Sequence, residues 1–302
     1  MGQVQALDER VHRASPERLL SRLSRRLLFK LATSDRFESA VRSIPGGEAR
    51  AFRAARRYVA GRTRDDALAV AAQLTARGFA VAVDFFGEDE RDPAAAARVA
   101  DAYVALGAAL AEVPGDACLA LDLSHLAIDT DPEASRELLV RIAAAAPVQV
   151  GAEDSGRTDR ILDCVVGAHE AGAPVAATLQ ANLRRSPGDA DRLAAAGVPV
   201  RLVKGAYVEP LDVAHRYGEE TDRAFVALAH RLLAAGAAIT LATHDPALQD
   251  ALPDAGVEHL LGVRQDDAAE LVAARRHVRV YVPYGEDWFR YWMRRVAEAR
   301  GA

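Results

Sequence analysis

Short apolar segments recur along this chain, and each is followed by a polar turn and then by a helical pattern. Most of them are apolar throughout rather than alternating, which is typical of parallel strands covered on both faces. They predict eight strands, at residues 80–84, 118–123, 148–150, 174–178, 200–203, 239–242, 259–262 and 278–282. The helical patterns between them span residues 65–77, 93–111, 132–145, 159–171, 190–196, 219–234 and 266–276.

The order of these elements predicts the fold class. Glycines at 172, 197 and 236 each follow a helical pattern and precede a strand, where a helix C-cap is wanted. Eight strand and helix units in about 230 residues predict an α/β fold, a (β/α)8 TIM-type barrel. An open doubly wound sheet is the alternative, because periodicity does not show that the sheet closes.

The two ends of the chain predict helices outside this repeat. Residues 1–60 read as helices with an interruption at 44–47, which predicts a helical arm that packs on a barrel of residues 61–302. Residues 286–300 form a second pattern, in which Trp288 and Trp292 lie on one apolar stripe. We expect this C-terminal helix to lie over the top of the barrel.

The apolar content, the cysteines and the lack of a recognisable targeting segment indicate the kind of protein and its compartment. Half of the 302 residues are hydrophobic, enough for a large core, and neither a secretory signal nor a membrane-spanning run is recognisable. The two cysteines have apolar neighbours and no disulfide or metal spacing. These features predict a cytoplasmic protein.

Charge is unevenly divided along the chain. Residues 1–64 carry a net charge of +9 and the remainder −14, within a total of −5. A basic arm can rest on an anionic membrane surface, and a solvated helical face is the alternative. We expect no nucleic-acid partner.

Polar residues follow every predicted strand. Catalytic groups of such barrels lie at the C-terminal ends of the strands, so this pattern indicates a ligand site, although polar turns also occur on any barrel. The residues are Asp84, Glu88, Asp122, Ser124, Glu153, Asp154, Gln180, Asn182, Lys204, Tyr207, Thr243, His244, Asp245, Arg264, Tyr281 and Tyr284.

Lys204 stands out because the 38 basic residues include only one other lysine, Lys30. A lysine at a strand end can form a Schiff base, hold an anion or cofactor as a point charge, or make a salt bridge at the rim. Its position does not decide among these roles. His244 has no metal-ligand partner at helical spacing, so we expect it to position a ligand or to be satisfied by a backbone group, and we expect no metal site.

The C-terminal helix carries two adjacent arginines, Arg294 and Arg295, with Glu298 within reach of either. Two guanidinium groups above a barrel would make a carboxylate clamp. The alternative is a solvated face with one salt bridge.

Several motifs together resemble the proline dehydrogenase family, FAD enzymes built on a distorted (β/α)8 barrel. The resemblance runs from about residue 58 to the C-terminus. The motifs are YVAGRTRDDAL at 58–68, DFFGE at 84–88, LQANL at 179–183, RLVKGAY at 201–207, ATHDP at 242–246 and YVPYGEDWFRYWMRRVAE at 281–298.

The resemblance implies roles for individual residues. Arg201 and Tyr281 are the candidate catalytic residues, with Arg201 near flavin N5. The implied substrate pocket consists of Glu88, Tyr207, Leu260, Tyr281, Arg294 and Arg295. The implied FAD ligands are Gln180, Arg201, Val203, Lys204, Gly205, Ala206, Thr243, His244 and Glu298. The implied reaction oxidises L-proline to 1-pyrroline-5-carboxylate and passes electrons to a quinone.

Two positions depart from the family pattern. The family usually has a lysine on the second strand that helps to bind the substrate carboxylate, and this chain has Asp122 there. The third strand usually carries an aspartate, and this chain has Gly151. Asp122 can therefore replace the missing aspartate from the neighbouring strand.

These departures leave three alternatives to proline oxidation. Asp122 would repel a carboxylate and favour a second amine, so a related cyclic amine, a modified proline or a basic amino acid is one alternative substrate. A flavin-binding barrel that has lost catalysis is another reading. A Schiff-base aldolase that uses Lys204 is the third.

Overall fold

The computed structural model describes the backbone of residues 35–299 and the side chains of residues 36–296. The chain divides into two compact units. Within the described residues, one consists of residues 35–57 together with 286–299, and the other of residues 58–285.

The larger unit contains a closed barrel of eight parallel strands in chain order. The first strand pairs with both the second and the eighth, so the barrel prediction is confirmed and the open sheet is wrong. The strands are β1 (Ala80–Phe85), β2 (Ala117–Leu121), β3 (Val148–Val150), β4 (Val175–Gln180), β5 (Val200–Val203), β6 (Ile239–Ala242), β7 (Gly256–Leu260) and β8 (Val278–Tyr284).

Helices follow the strands of this unit, after one that precedes β1. They are α3 (Arg64–Thr75), α4 (Pro93–Leu110), α5 (Pro132–Ala143), α6 (Thr158–Glu170), α7 (Ser186–Ala195), α8 (Glu219–Ala234), α9 (Pro246–Asp250) and α10 (Gln265–Ala273). Thr63 begins α3 with a capping box to Asp66, and Asp92 and Asp131 cap helices that start with proline.

The seventh strand begins earlier than predicted, at Gly256 instead of residue 259. Glu258 and His259, each 2% exposed, lie within it, so the strand is not the continuous apolar run that the prediction required. The short helix α9 was not predicted, because its five residues contain too little periodic pattern.

The two faces of the barrel strands differ in character. Outward-facing residues such as Val81, Leu119 and Leu202 belong to the main hydrophobic core. On the inner face, Ala82, Cys118 and Ala120 form a separate small cluster against Tyr281. Small inner side chains leave the polar residues of neighbouring strands to fill the barrel interior.

The smaller unit contains three described helices, α1 (Asp35–Ser43), α2 (Gly47–Ala55) and α11 (Trp288–Ala299). Aromatic side chains join them: the rings of Phe52 and Trp288 lie 5.0 Å apart and those of Phe37 and Phe289 6.1 Å apart. No helix within residues 35–299 is long and apolar enough to cross a membrane. The packing of the arm on the barrel and of α11 over its top stays a prediction, and residues 1–34 lie outside the described part.

Candidate active site

Arg201 and Glu258 form an ion pair inside the barrel. The Arg201 Nε donates to Glu258 Oε1 at 2.6 Å, and Gln149 Nε2 lies 3.4 Å from the same oxygen. The Glu258 side chain is 1% exposed. Within the described part of the chain, the two terminal nitrogens of Arg201 donate no hydrogen bond and Glu258 Oε2 accepts none. The ion pair therefore holds the Arg201 side chain through Nε and leaves its two terminal nitrogens available to a ligand.

Asp84, at the end of β1, accepts hydrogen bonds from two tyrosines. Tyr103 of α4 donates to Oδ1 at 2.9 Å, and Tyr281 of β8 donates to Oδ2. Burial raises the pKa of Asp84 to about 6, although both tyrosines and the charge of Arg201 act in the opposite direction. This carboxyl can therefore exchange a proton close to neutral pH.

The raised pKa of Asp84 predicts a specific pH dependence of stability. The folded chain holds this proton more tightly than the unfolded chain, so its contribution is fully present below pH 3.8 and is lost as pH rises through about 6. We expect a loss of about 3 kcal/mol in the free energy of unfolding across this window. Urea unfolding over the pH range should show a flatter profile for Asp84→Asn than for Asp101→Asn, an exposed control on α4. Equal profiles would contradict this assignment.

Asp122 lies beside Asp84, and its carboxylate occupies the space above Gly151. A Cβ built on Gly151 would lie 1.8 Å from Asp122 Oδ1. Burial, then the negative charge of Asp84, raises the pKa of Asp122 well above its usual value. No group among residues 36–296 donates a hydrogen bond to this carboxylate. The aspartate after β2 and the glycine after β3 are thus sterically coupled, because a side chain at 151 would displace Asp122.

Glu153 is the third carboxyl group of this region and is almost fully buried. The backbone N–H of Ser124 donates to its Oε1 at 2.9 Å, and Arg157 Nη1 donates to its Oε2 at 2.8 Å. Arg157 also pairs with Asp89 and Asp129, which joins the loops after β1, β2 and β3. Glu88 is exposed on the first of these loops, and its predicted role as the partner of a gating arginine stays a prediction.

Lys204 follows β5 and makes two ion pairs, to Asp222 at 2.6 Å and to Asp245 at 3.0 Å. Burial lowers the pKa of Lys204, but the two carboxylates outweigh it and raise the pKa above its usual value. An amine that stays protonated is a poor Schiff-base nucleophile, which argues against the aldolase alternative. The rim salt bridge is observed, and a role toward a cofactor phosphate stays a prediction.

The loop after Lys204 passes close to Asn182. Gly205 has φ of 105°, and a Cβ there would lie 2.0 Å from Asn182 Oδ1. Ala206 and Tyr207 follow, and Tyr207 is 42% exposed. This close approach requires glycine at 205.

The other predicted barrel residues lie at neighbouring strand ends. Gln180 and Val203 are register partners on β4 and β5, and Gln180 Nε2 donates to the Glu153 carbonyl at 2.8 Å. His244 Nε2 accepts a hydrogen bond from the Leu260 N–H at 3.0 Å, so that nitrogen carries no proton. Thr243 is buried beside it, and its hydroxyl accepts from Asp245 N.

The predicted carboxylate clamp lies on the other unit. Arg294 and Arg295 are partly buried on α11, and the Arg295 guanidinium lies 5.0 Å from the centre of the Tyr291 ring. The side chain of Glu298 lies outside the described residues. The roles of these three residues toward the barrel site stay predictions.

Three residues of the site were not predicted. Tyr103 contacts Asp84 from an alanine-rich helix. The only feature of the sequence that could have indicated this contact is a tyrosine among alanines. Glu258 could have been found as a charged residue within an apolar strand, since a buried carboxylate requires a partner. Asp222 lies in the first turn of α8, and its contact with Lys204 depends on the tertiary structure.

Comparison with known proteins identifies the family. The model of the family described as "Proline dehydrogenase" matches residues 67–302. The proline dehydrogenase of Deinococcus radiodurans is 33% identical over 267 residues, and proline dehydrogenase 1 of Bacillus subtilis subsp. natto is 31% identical over 260; both matches cover 81% of this chain and 86% of the relative.

A solved structure shares the fold. Proline utilization A from Bdellovibrio bacteriovorus, inactivated by N-propargylglycine, superposes with a TM-score of 0.77 at 19% identity. The match covers 94% of this chain but only 37% of that larger protein. From the family model and the relatives, the chain belongs to the proline dehydrogenase family of oxidoreductases.

Proposed function

We propose that this chain oxidises L-proline to 1-pyrroline-5-carboxylate with a bound FAD and passes the electrons to a quinone. Family membership supports the reaction class. The observation that carries the proposal is the arrangement around Arg201, which one carboxylate holds in place while its terminal nitrogens remain available to a ligand. A fixed cation with unused donors can stabilise negative charge that develops during hydride removal.

The described residues fit a flavin along the ends of β4, β5 and β6. Gln180 ends β4, Arg201 lies within β5 and Thr243 follows β6, so side chains from three adjacent strands can contact one extended ligand. The Asn182 side-chain oxygen is buried without a partner beside Gly205, where the backbone can approach a ligand closely. FAD, when bound, would supply the acceptor for the hydride. Lys204 donates to Asp222 and Asp245, and the third N–H of its ammonium group would be the donor for a phosphate.

The remaining groups would act on the substrate. Leu260 at the end of β7 and Tyr281 in the middle of β8 are register partners, and we propose that they form walls of the substrate pocket with Tyr207. Arg294 and Arg295 would hold the substrate carboxylate, with Glu88 as a gating residue. We further propose a cytoplasmic enzyme whose basic N-terminal arm contacts the membrane that holds the quinone.

A dye-reduction assay tests the proposed reaction. The FAD-loaded protein should reduce an artificial electron acceptor when L-proline is added, and a soluble quinone should replace the dye. The absence of turnover at saturating L-proline would contradict the proposal. A higher rate with pyrrolidine or L-lysine would instead support a related amine as substrate, which the unpaired carboxyl of Asp122 favours.

A further inference from the structure

The carboxyl groups of Asp84 and Asp122 face the same interior but have different surroundings. Asp84 accepts hydrogen bonds from Tyr103 and Tyr281, whereas no described group donates to Asp122. Hydrogen bonds to the ionised form favour ionisation. Of the two, Asp84 is therefore the preferred anion, and Asp122 is the preferred holder of a proton.

The charges around Asp122 come from several elements. Asp84 on β1, Glu153 after β3 and Glu88 after β1 all raise the pKa of Asp122, and Arg201 on β5 is the cation that lowers it. Glu153 is paired with Arg157, and Arg201 is paired with Glu258. Both nearby arginines are therefore paired with glutamates. Within the described residues, the Asp84 carboxylate forms no ion pair.

A second observation indicates that a ligand completes this interior. The Thr178 side chain lies next to Arg201 in the barrel register, is 6% exposed and has no hydrogen-bond partner for its hydroxyl. Glu258 Oε2, also buried, has none either. A ligand with polar groups that enters this interior could satisfy both atoms.

We propose that the Asp84 and Asp122 carboxyl pair receives the ammonium group of the substrate, and that Asp122 gives up its proton as the cation binds. The O–H bond of Asp122 breaks, the proton passes to solvent, and the new carboxylate accepts an N–H of the ammonium. The Asp84 carboxylate attracts the cation. The positive charge of the bound ammonium then balances the negative charge that appears on Asp122 when its proton leaves. The inference deepens the proposed function by assigning a substrate amine to these two residues.

Calorimetry with two simple ligands tests this proposal. Pyrrolidinium carries the amine without a carboxylate, and tetrahydrofuran-2-carboxylate carries the carboxylate without an amine. Binding to the FAD-loaded protein with the flavin already reduced, so that no turnover occurs, is measured without oxygen at neutral pH in two buffers of different ionisation enthalpy and gives the number of protons released. We expect about one proton per pyrrolidinium bound and none for tetrahydrofuran-2-carboxylate.

Matched variants locate the proton. Asp122→Asn should release no proton and should bind pyrrolidinium about tenfold more weakly, whereas Asp101→Asn, an exposed position on α4, should behave like the unsubstituted protein. Gly151→Ala keeps the carboxyl group but displaces it, and should weaken pyrrolidinium binding several-fold. Chemical unfolding of each variant confirms that it is folded.

The outcomes separate this inference from the proposed function. Pyrrolidinium binding without proton release, equal proton release from Asp122→Asn, or the same release with tetrahydrofuran-2-carboxylate would each overturn the proposal. Proton-linked binding of pyrrolidinium in a protein that L-proline cannot reduce would support the amine site and contradict proline oxidation.

Discussion

Replacing Arg201 with methionine should lower the free energy of unfolding by about 3–5 kcal/mol, because it leaves the buried Glu258 carboxylate without its cation. The Glu258 side chain is 1% exposed, and Arg201 Nε is its ionic partner at 2.6 Å. In the variant, Glu258 would keep only a weak hydrogen bond from the uncharged Gln149 amide, whose nitrogen lies 3.4 Å from Oε1. Urea unfolding at neutral pH measures the change.

The double variant Arg201→Met/Glu258→Gln separates stability from catalysis. Removing both charges should restore most of the lost stability, because no uncompensated charge stays buried. Dye reduction with L-proline should not return, since the proposed role of Arg201 requires its guanidinium. A single variant that loses less than about 1 kcal/mol would contradict the importance of this pair.

Replacing Gly205 with alanine should weaken FAD binding by about 100-fold. The residue has φ of 105°, and the added Cβ would lie 2.0 Å from Asn182 Oδ1. Backbone strain of this kind costs about 1–3 kcal/mol, and the upper part of that range corresponds to 100-fold in affinity. The strain should distort the loop that begins at Lys204, which is the proposed cofactor contact. Flavin retention during gel filtration and the dissociation constant for FAD measure the effect.

Gly188→Ala is the matched control for this substitution. Gly188 lies in α7, and a Cβ there would meet no atom within 4 Å. Alanine is favoured over glycine in a helix, so the control should keep its affinity for FAD and gain slightly in stability. Equal losses of flavin in both variants would contradict the specific role of Gly205.

The barrel could be predicted from the sequence because its signal is local. Strand bodies such as β2 are short apolar runs, and glycines such as Gly197, with φ of 73°, end helices that precede strands. The pattern failed at β7, where the ion pair with Arg201 allows Glu258 to lie inside a strand. A buried charge is stabilised by a partner that is far away in the sequence, and the periodicity of apolar residues does not reveal that partner.

The candidate site could be predicted only in part for the same reason. Its residues at strand ends, such as Asp84 and Tyr281, follow from the barrel topology, and the structure joins these two by a hydrogen bond. The steric coupling of Asp122 with Gly151 follows from the closeness of their backbones. Two positions that looked like separate departures from the family pattern are therefore one arrangement, in which Asp122 fills the space above Gly151.

Lys204 could be identified from the sequence as a candidate, but its partners could not. Its rarity in the chain marked it as a functional candidate, yet rarity did not predict the carboxylates that surround it. Asp222 and Asp245 come from separate segments of the chain and meet at one ammonium group. A role in cofactor binding would therefore use the third N–H of this ammonium group.

The visible spectrum of the purified protein before and after addition of L-proline tests the central claim most directly. We expect flavin absorption bands that bleach when L-proline is added without oxygen and return when a quinone is supplied. Flavin bands that persist at saturating L-proline, or a protein that binds no flavin, would contradict it.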